Sequence, residues 1–398
     1  MDAPAWSLKA RWVLPVLTPP VENGVIEIAG DTIVAVRQGG PATHDLGDSI
    51  LIPGLVNAHT HLDLTGFPRP VTPPPTFADW ITQVIQHRLR ETPEQRLMAI
   101  RKGVRQSMAH GVTLLGDISS NGASSQVIAS ESVAATVYHE ILGLNLERAN
   151  QTRSAAANWL SSQSLANVLP AISPHAPYST RRDLYAWAQS LSVPVQTHLA
   201  ESFEEIALIK HGSGPLAKML HDLKLLPTEN MPQGVNDVLR LLASQSSTQP
   251  VGLVHANYLP LESASSLGPN VTLIHCPRTH DWFGRELFPL LEWIRAGIPI
   301  ALGTDGEACN PDLDILAEAS TLFQMHPDIP PAKILEMCTI NGAAVLGWKG
   351  KAGALAPGHY ADMVSMATDS ASTLEKVLEN LLVSKPKSMK TLWRGKWR

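Results

Sequence analysis

Ile52-Pro53-Gly54-Leu55-Val56-Asn57-Ala58-His59-Thr60-His61 decides how the chain is read. An apolar run ends in two histidines two residues apart. In a strand, residues i and i+2 point to the same side. Both imidazoles can therefore address one point in space, as two ligands of a single metal must. A His-x-His pair alone is common on solvated faces. Here it closes a run that reads as a buried strand, and further ligand types follow at comparable places.

Outward from this stretch, short apolar runs alternate with amphipathic helical patterns. The runs are Leu51–Ala58, Val112–Ile118, Val133–His139, Val168–Ser173, Val193–His198, Val251–Ala256, Val271–Cys276 and Pro299–Gly303. Helices are predicted over Phe77–Arg90, Pro93–His110, Arg181–Leu191, Glu286–Ala296 and Pro331–Leu346. The second opens on Thr92 with Gln95 in capping-box spacing. Eight buried strands separated by helices over residues 51–350 predict an α/β fold, a (β/α)8 TIM-like barrel. A doubly wound open sheet would need a Gly-rich phosphate turn after its first strand; this strand ends in histidines instead. Residues 1–50 and 351–398 read as short strands and are expected to join in one composite β-sandwich domain. The connection from Lys210 to Gln249 carries two helical patterns, Pro215–Leu225 and Asn236–Leu242, and is expected on the catalytic side of the barrel.

Composition narrows the partners. The 398 residues are 44% hydrophobic and 17% charged, with a net charge of −5, so no basic patch invites nucleic acid and no polybasic segment a membrane. No stretch approaches the roughly 20 apolar residues of a membrane helix. Three cysteines, Cys276, Cys309 and Cys338, are too few for a disulfide framework. A cytoplasmic protein acting on a small molecule is the expectation.

Barrel strands deliver functional side chains at their C-terminal ends. Those ends carry His59 and His61 (first strand), His198 (fifth), His255 (sixth) and Asp305 (eighth). Imidazoles and a carboxylate suit one divalent ion, Zn2+ or Fe2+. The segments Pro53 to His61, Thr197-His198-Leu199-Ala200-Glu201, Val254-His255-Ala256-Asn257 and Leu302-Gly303-Thr304-Asp305 resemble the amidohydrolase superfamily, in its cytosine-deaminase-like branch. The resemblance implies that His59, His61, His198 and Asp305 hold the metal, with His255 beside the reacting water. Binuclear members often bridge two metals with a carboxylated lysine, yet no lysine lies between Gly103 and Ile209. Glu140 is the remaining bridging group, and it reads better as a strand-end polar residue or a substrate contact.

Deamination of an aromatic amidine needs an activated water and an acid that protonates the neighbouring ring nitrogen. Glu201, one short turn after His198, is assigned the acid role, while Asp305 with His255 accepts the water's proton. Glu204 and Glu205 are better read as helix N-terminal charges. His275-Cys276-Pro277-Arg278-Thr279-His280-Asp281-Trp282-Phe283-Gly284 and Phe77-Ala78-Asp79-Trp80-Ile81 are similar to aminodeoxyfutalosine deaminases of the menaquinone pathway. That resemblance implies 6-amino-6-deoxyfutalosine as substrate, with contacts from His175, Trp80, Glu140 and Arg278. Arg278 would bind the substrate's benzoate with its planar fork, and Arg69 is the weaker competitor. Adenosylhomocysteine, methylthioadenosine, guanine and s-triazines are the alternative substrates, and a non-catalytic scaffold is the remote one. A homodimer is the default for the family. Thr304-Asp305-Gly306 stands where many relatives have Thr-Asp-Ser, so a hydroxyl is missing beside a ligand. Cys276 and Cys309 are read as packing residues, since a metal-supplied nucleophile leaves no task for a thiolate.

Overall fold

Pro53 and Gly54 divide the run that was expected to form one strand. Proline has no N–H to give a ladder, and the Gly54 amide turns to Asp362 O at 2.9 Å. A Cβ on Gly54 would come within 2.1 Å of Thr113 Oγ1, so only glycine lets the chain pass this close to its neighbour. The result is two strands, β5 (Ser49–Pro53) and β6 (Leu55–Thr60), which belong to different sheets. The structure is a computed structural model describing residues 5–226, 230–243, 248–369, 372–384 and 388–398. Residues 1–4, 370–371 and 385–387 of the expected outer domain, and 227–229 and 244–247 of the connection, lie outside the described residues.

The outer sheet combines β1 (Trp6–Val13), β2 (Val21–Ala29), β3 (Thr32–Gln38), β4 (His44–Asp45) and β5 with β14 (Met363–Ala367), β15 (Met389–Trp393) and β16 (Lys396–Trp397). The expected composite of the two chain ends is realised as one mixed sheet, ordered β16-β15-β14-β5-β1-β2-β3 with β4 on β1. Strand periodicity gives it two cores. Leu51 and Met363 join Leu8, Ile26, Ile28 and Leu392 on one face, whereas Ile50, Ile52, Val364 and Met366 turn to the barrel's apolar core.

The barrel follows as β6, β7 (Val112–Ser119), β8 (Ala134–Ile141), β9 (Val168–Pro174), β10 (Val195–Leu199), β11 (Val251–His255), β12 (Val271–His275) and β13 (Ile300–Leu302), all parallel and in sequence order. The ring closes through a parallel bridge between Thr60 and Asp305. His59 O accepts the amides of Thr304 and Asp305 at 3.0 and 3.1 Å. Helices Phe77–Arg90 and Pro93–Ala109 form where expected, the second with its Thr92–Gln95 capping box. Two predicted helices differ. The one expected from Glu286 starts at Leu290 because Pro289 sits at its cap. The one expected over Pro331–Leu346 breaks at Thr339, whose φ −138° and ψ −94° are not helical, into Pro331–Met337 and Ile340–Val345. Among the described residues, no helix is long and apolar enough to cross a membrane.

Candidate active site

Three strand ends carry side chains on strained backbone. Ala200, His255, Ala256 and Asp305 have φ of 53°, 67°, 52° and 57°, a region that costs a non-glycine residue about 1–2 kcal/mol. Such strain persists only where the surroundings over-determine it, and it collects at functional sites. After β10, the Glu205 carboxylate accepts the amides of Ala200 (2.8 Å) and Glu201 (2.9 Å). Glu205 thus fastens the turn that presents Glu201, and Ser202 caps the helix Phe203–His211 that follows. Glu204 serves another helix, accepting the amides of Phe77 (2.7 Å) and Ala78 (3.1 Å) at the start of Phe77–Arg90.

The ligand set expected from the sequence converges. His59 Nδ1 meets Gln196 Oε1 at 3.2 Å, and Gln196 Nε2 donates to Ala58 O at 2.9 Å. The glutamine is thereby oriented to accept, which leaves the His59 Nε2 lone pair facing the site. His198 Nδ1 donates to His175 O at 2.9 Å, with the same effect on its Nε2. The Nε2 atoms of His61 and His198 stand 3.3 Å apart, and Asp305 Oδ1 lies 3.6 Å from His61 Nε2 and 3.8 Å from His59 Nε2. His59 Nε2 is buried without a partner. Two nitrogens at about 2.05 Å from a tetrahedral ion would be separated by about 3.3 Å. Among the described residues, the donor atoms of His59, His61 and Asp305 lie close enough together to hold one divalent ion, and those of His59, His198 and His255 form a second, overlapping set. Burial, with help from neighbouring imidazoles, holds His59 and His198 down to about 3 and His61 well below the usual histidine value. Neutral imidazole is the form a metal needs.

Glu201 and His255 adjoin this cluster. His255 Nε2 lies 3.7 Å from Glu201 Oε1 and 3.8 Å from Asp305 Oδ2. Burial pushes the Glu201 carboxyl up to about 8 against the pull of Arg285, whose Nη2 is 3.2 Å from Glu201 Oε1. The Arg285 side chain is nearly inaccessible, with its guanidinium 4.4 Å from the Phe283 ring centre. Phe77, Trp80 and Phe283 form an aromatic cluster, with ring centres 5.4–5.9 Å apart. Trp80 is fixed in it by a bond from Nε1 to Ala308 O (3.3 Å).

The remaining expected contacts divide. His175 packs 5.0 Å from His198, ring centre to ring centre, and its Nε2 is 3.9 Å from Glu140 Oε1. Glu140 pairs with Arg88 at 3.4 Å, and Arg88 also grips both oxygens of Asp63. Arg278 is drawn elsewhere: its Nη1 donates to Asp312 at 2.5 Å and its amide to Glu318, so its fork is engaged by protein. Arg69 lies over the Trp282 ring. Sequence reasoning missed Arg88, Arg285 and Gln196. Arg285 stands directly after the quoted Trp282-Phe283-Gly284, so its position was in view; its partner was not. Burial pushes the thiols of Cys276 and Cys309 well up, in keeping with their reading as non-nucleophiles.

The amidohydrolase family matches residues 50–391 of this sequence. The chain belongs to that family. It is similar to the 5-methylthioadenosine/S-adenosylhomocysteine deaminase of Nitratidesulfovibrio vulgaris, 28% identical over 86% of this chain and 79% of the relative. The aminodeoxyfutalosine deaminase of Deinococcus radiodurans is 25% identical over 81% of each. The aminofutalosine deaminase of Helicobacter pylori superposes with a TM-score of 0.85 over 99% of this chain and 100% of that one, at 21% identity, a likeness of fold. As an amidohydrolase with deaminase relatives, the chain is a hydrolase of carbon–nitrogen bonds.

Proposed function

We propose that the protein deaminates an adenine-type nucleoside carrying a bulky, largely apolar 5′-substituent, with 6-amino-6-deoxyfutalosine as the first candidate. The observation that carries the reading is Glu201, a buried carboxyl pushed up to about 8 by burial, 3.7 Å from His255 Nε2 and beside the His and Asp cluster. His59, His61, His198 and Asp305 would hold one divalent ion, Zn2+ or Fe2+, which when bound supplies an activated water at neutral pH. Glu201 donates its proton to the ring nitrogen next to the amino-bearing carbon, making that carbon electrophilic. Asp305 Oδ2, with His255 Nε2 beside it, takes one proton of the attacking water and returns it to the departing amine, while the second leaves the new hydroxyl for Glu201 as the carbonyl forms and restores the acid. Water and amidine become a ring carbonyl and ammonia. The aromatic cluster of Phe77, Trp80 and Phe283 limits bulk water.

A cavity of about 370 Å³ begins at His175 and Glu140 and runs between the helices Phe77–Arg90 and Pro215–Asp222. Ile81, Val84, Leu144, Tyr178, Met219 and Leu220 line it together with two arginines, Arg88, already paired with Asp63 and Glu140, and the exposed Arg148. An apolar group with a terminal carboxylate suits that lining. Because Arg278 is already paired with Asp312, Arg148 takes over as the carboxylate's partner. Glu140 Oε1, buried and without a hydrogen-bond partner among the described residues, is suited to accept a ribose hydroxyl. The test is a panel of aminodeoxyfutalosine, S-adenosylhomocysteine, methylthioadenosine and adenosine, with ammonia release measured on metal-loaded protein. The benzoate-bearing nucleoside should give the highest kcat/KM. Turnover of no 6-aminopurine would overturn the reading, and preference for adenosine would overturn its substrate.

A further inference from the structure

We propose that Cys309 is the positioning residue for Asp305, its thiol supplying the hydrogen bond that holds the oxygen facing His255. The inference rests on the metal reading above. Asp305 lies on left-handed backbone, and each of its carboxylate oxygens is claimed by a different donor. Gly306 N donates to Oδ1 at 2.9 Å, the oxygen that faces His59 and His61. Cys309 Sγ donates to Oδ2 at 3.2 Å, the oxygen that faces His255. Without the second donor only the Gly306 amide on Oδ1 restrains rotation about the Cβ–Cγ bond, and the His255-facing oxygen is left unheld.

The adjacent position carries no side chain and is tight. A Cβ on Gly306 would stand 3.2 Å from both His61 Cβ and Leu64 Cβ, tight enough that a side chain there needs a shift of a few tenths of an ångström in the turn after β6. The donor instead arrives from three residues on, in the same tight turn. That turn is fixed by Cys309 N and Asn310 N on Gly306 O, at 3.1 and 3.0 Å, and by Asn310 Nδ2 on Thr304 O at 2.6 Å. Thr279 Oγ1 donates to Cys309 Sγ at 3.4 Å. This occupies the sulfur's acceptor side and leaves its hydrogen for Asp305. Gly306 O is a rival acceptor at 3.4 Å, but the carboxylate is nearer and charged, and charged acceptors win. Cys309 is fully buried, so no water competes. The relay Thr279 to Cys309 to Asp305 links the helix Pro277–Trp282 after β12 to the metal cluster.

Residues that hold a ligand's outer atom typically change metal affinity or activity by 10–100-fold when lost. Cys309→Ala, Cys309→Ser and the unmodified protein would be titrated with Zn2+ against a competing chelator, and the Co2+-loaded forms compared by their visible d–d spectra. Cys309→Ala should bind Zn2+ about 10–100-fold more weakly with a changed Co2+ band, and Cys309→Ser should restore both. Unmodified affinity and spectrum in Cys309→Ala would overturn the proposal. So would a Cys309→Ser variant as weak as Cys309→Ala, which would make the effect one of packing. If Cys309→Ala fails to fold, Thr279→Val carries the test: it should weaken Zn2+ in the same direction, and unchanged affinity overturns the relay. Failure of the unmodified protein to bind Zn2+ or Co2+ would instead remove the metal reading itself, and this proposal with it.

Discussion

Replacing Arg285 by methionine should move the alkaline limb of activity upward. The guanidinium is 3.2 Å from Glu201 Oε1, and both side chains are nearly inaccessible. At an effective dielectric of about 20, two unit charges at this distance interact by roughly 5 kcal/mol, which sets a ceiling. A close opposite charge usually moves a carboxyl by about 1–3 pH units, each worth about 1.4 kcal/mol. Arg285 favours the carboxylate, so its loss lets the neutral acid survive to higher pH. The limb set by Glu201, near pH 8 in the intact pair, should therefore rise by about 1–3 units. Stability follows the same sign. A carboxyl raised from 4.5 to about 8 in the folded protein contributes stability that is complete below pH 4.5 and lost as pH climbs through 8. In the variant that loss becomes larger and extends further. Near pH 6, protonation of Glu201 discharges the stranded group, so the cost there stays below the roughly 3–5 kcal/mol of a broken buried ion pair. The assay is log kcat/KM against pH for the best nucleoside, with Arg285→Lys as the charge-retaining control. A limb that stays in place in Arg285→Met, or moves equally in Arg285→Lys, would refute the reasoning.

Glu201→Gln should keep its metal content and fold while kcat drops by about 10²–10⁴; near-normal turnover would remove Glu201 from the mechanism. Gly303→Ala introduces a Cβ 2.8 Å from His59 O and 3.0 Å from His59 N. Backbone cannot yield cheaply, so a loss of about 1–3 kcal/mol with weakened metal retention is expected in melting and elemental analysis. Asp314 caps the helix Ile315–Met325 through the amides of Leu316 and Ala317 and pairs with His110 at 3.2 Å. Burial alone would raise its carboxyl, but these partners hold it below 3.8. Its contribution is therefore present above pH 3.8 and lost as pH falls through the lower folded value. Asp314→Ala should cost about 1 kcal/mol at pH 7, shrinking in acid, as chemical denaturation at several pH values would measure.

What the sequence revealed was local. Apolar runs, capping residues and ligands at strand ends each declare themselves within a few residues, so the barrel and the His59-Thr60-His61 start of the site could be read directly. Pairings over long separations could not. Arg88 reaches Asp63 across 25 residues and Glu140 across 52, and Arg285 reaches Glu201 across 84. Nothing in local periodicity distinguishes such arginines from solvated ones. Arg278 illustrates the converse: it stands in a telling motif, yet Asp312, 34 residues on, claims its guanidinium. The break at Pro53-Gly54 was also misread as continuity, because both flanking strands are fully buried and neither alternates.

The three-residue strand β13 has a consequence for assembly. Three residues beyond its end, Asp305 bridges to Thr60 of the first barrel strand, 245 residues away in the chain. Bringing such distant points together costs roughly 5 kcal/mol in chain entropy by the logarithmic loop law, and a short last strand offers few ladder bonds in return. On the metal reading, His59 and Asp305 sit on opposite sides of this joint and grip the same ion. The ion would then act as a clasp on the ring as well as a reagent. Metal supply during synthesis would govern how much chain reaches the closed state, and turnover would be only part of what the ion provides.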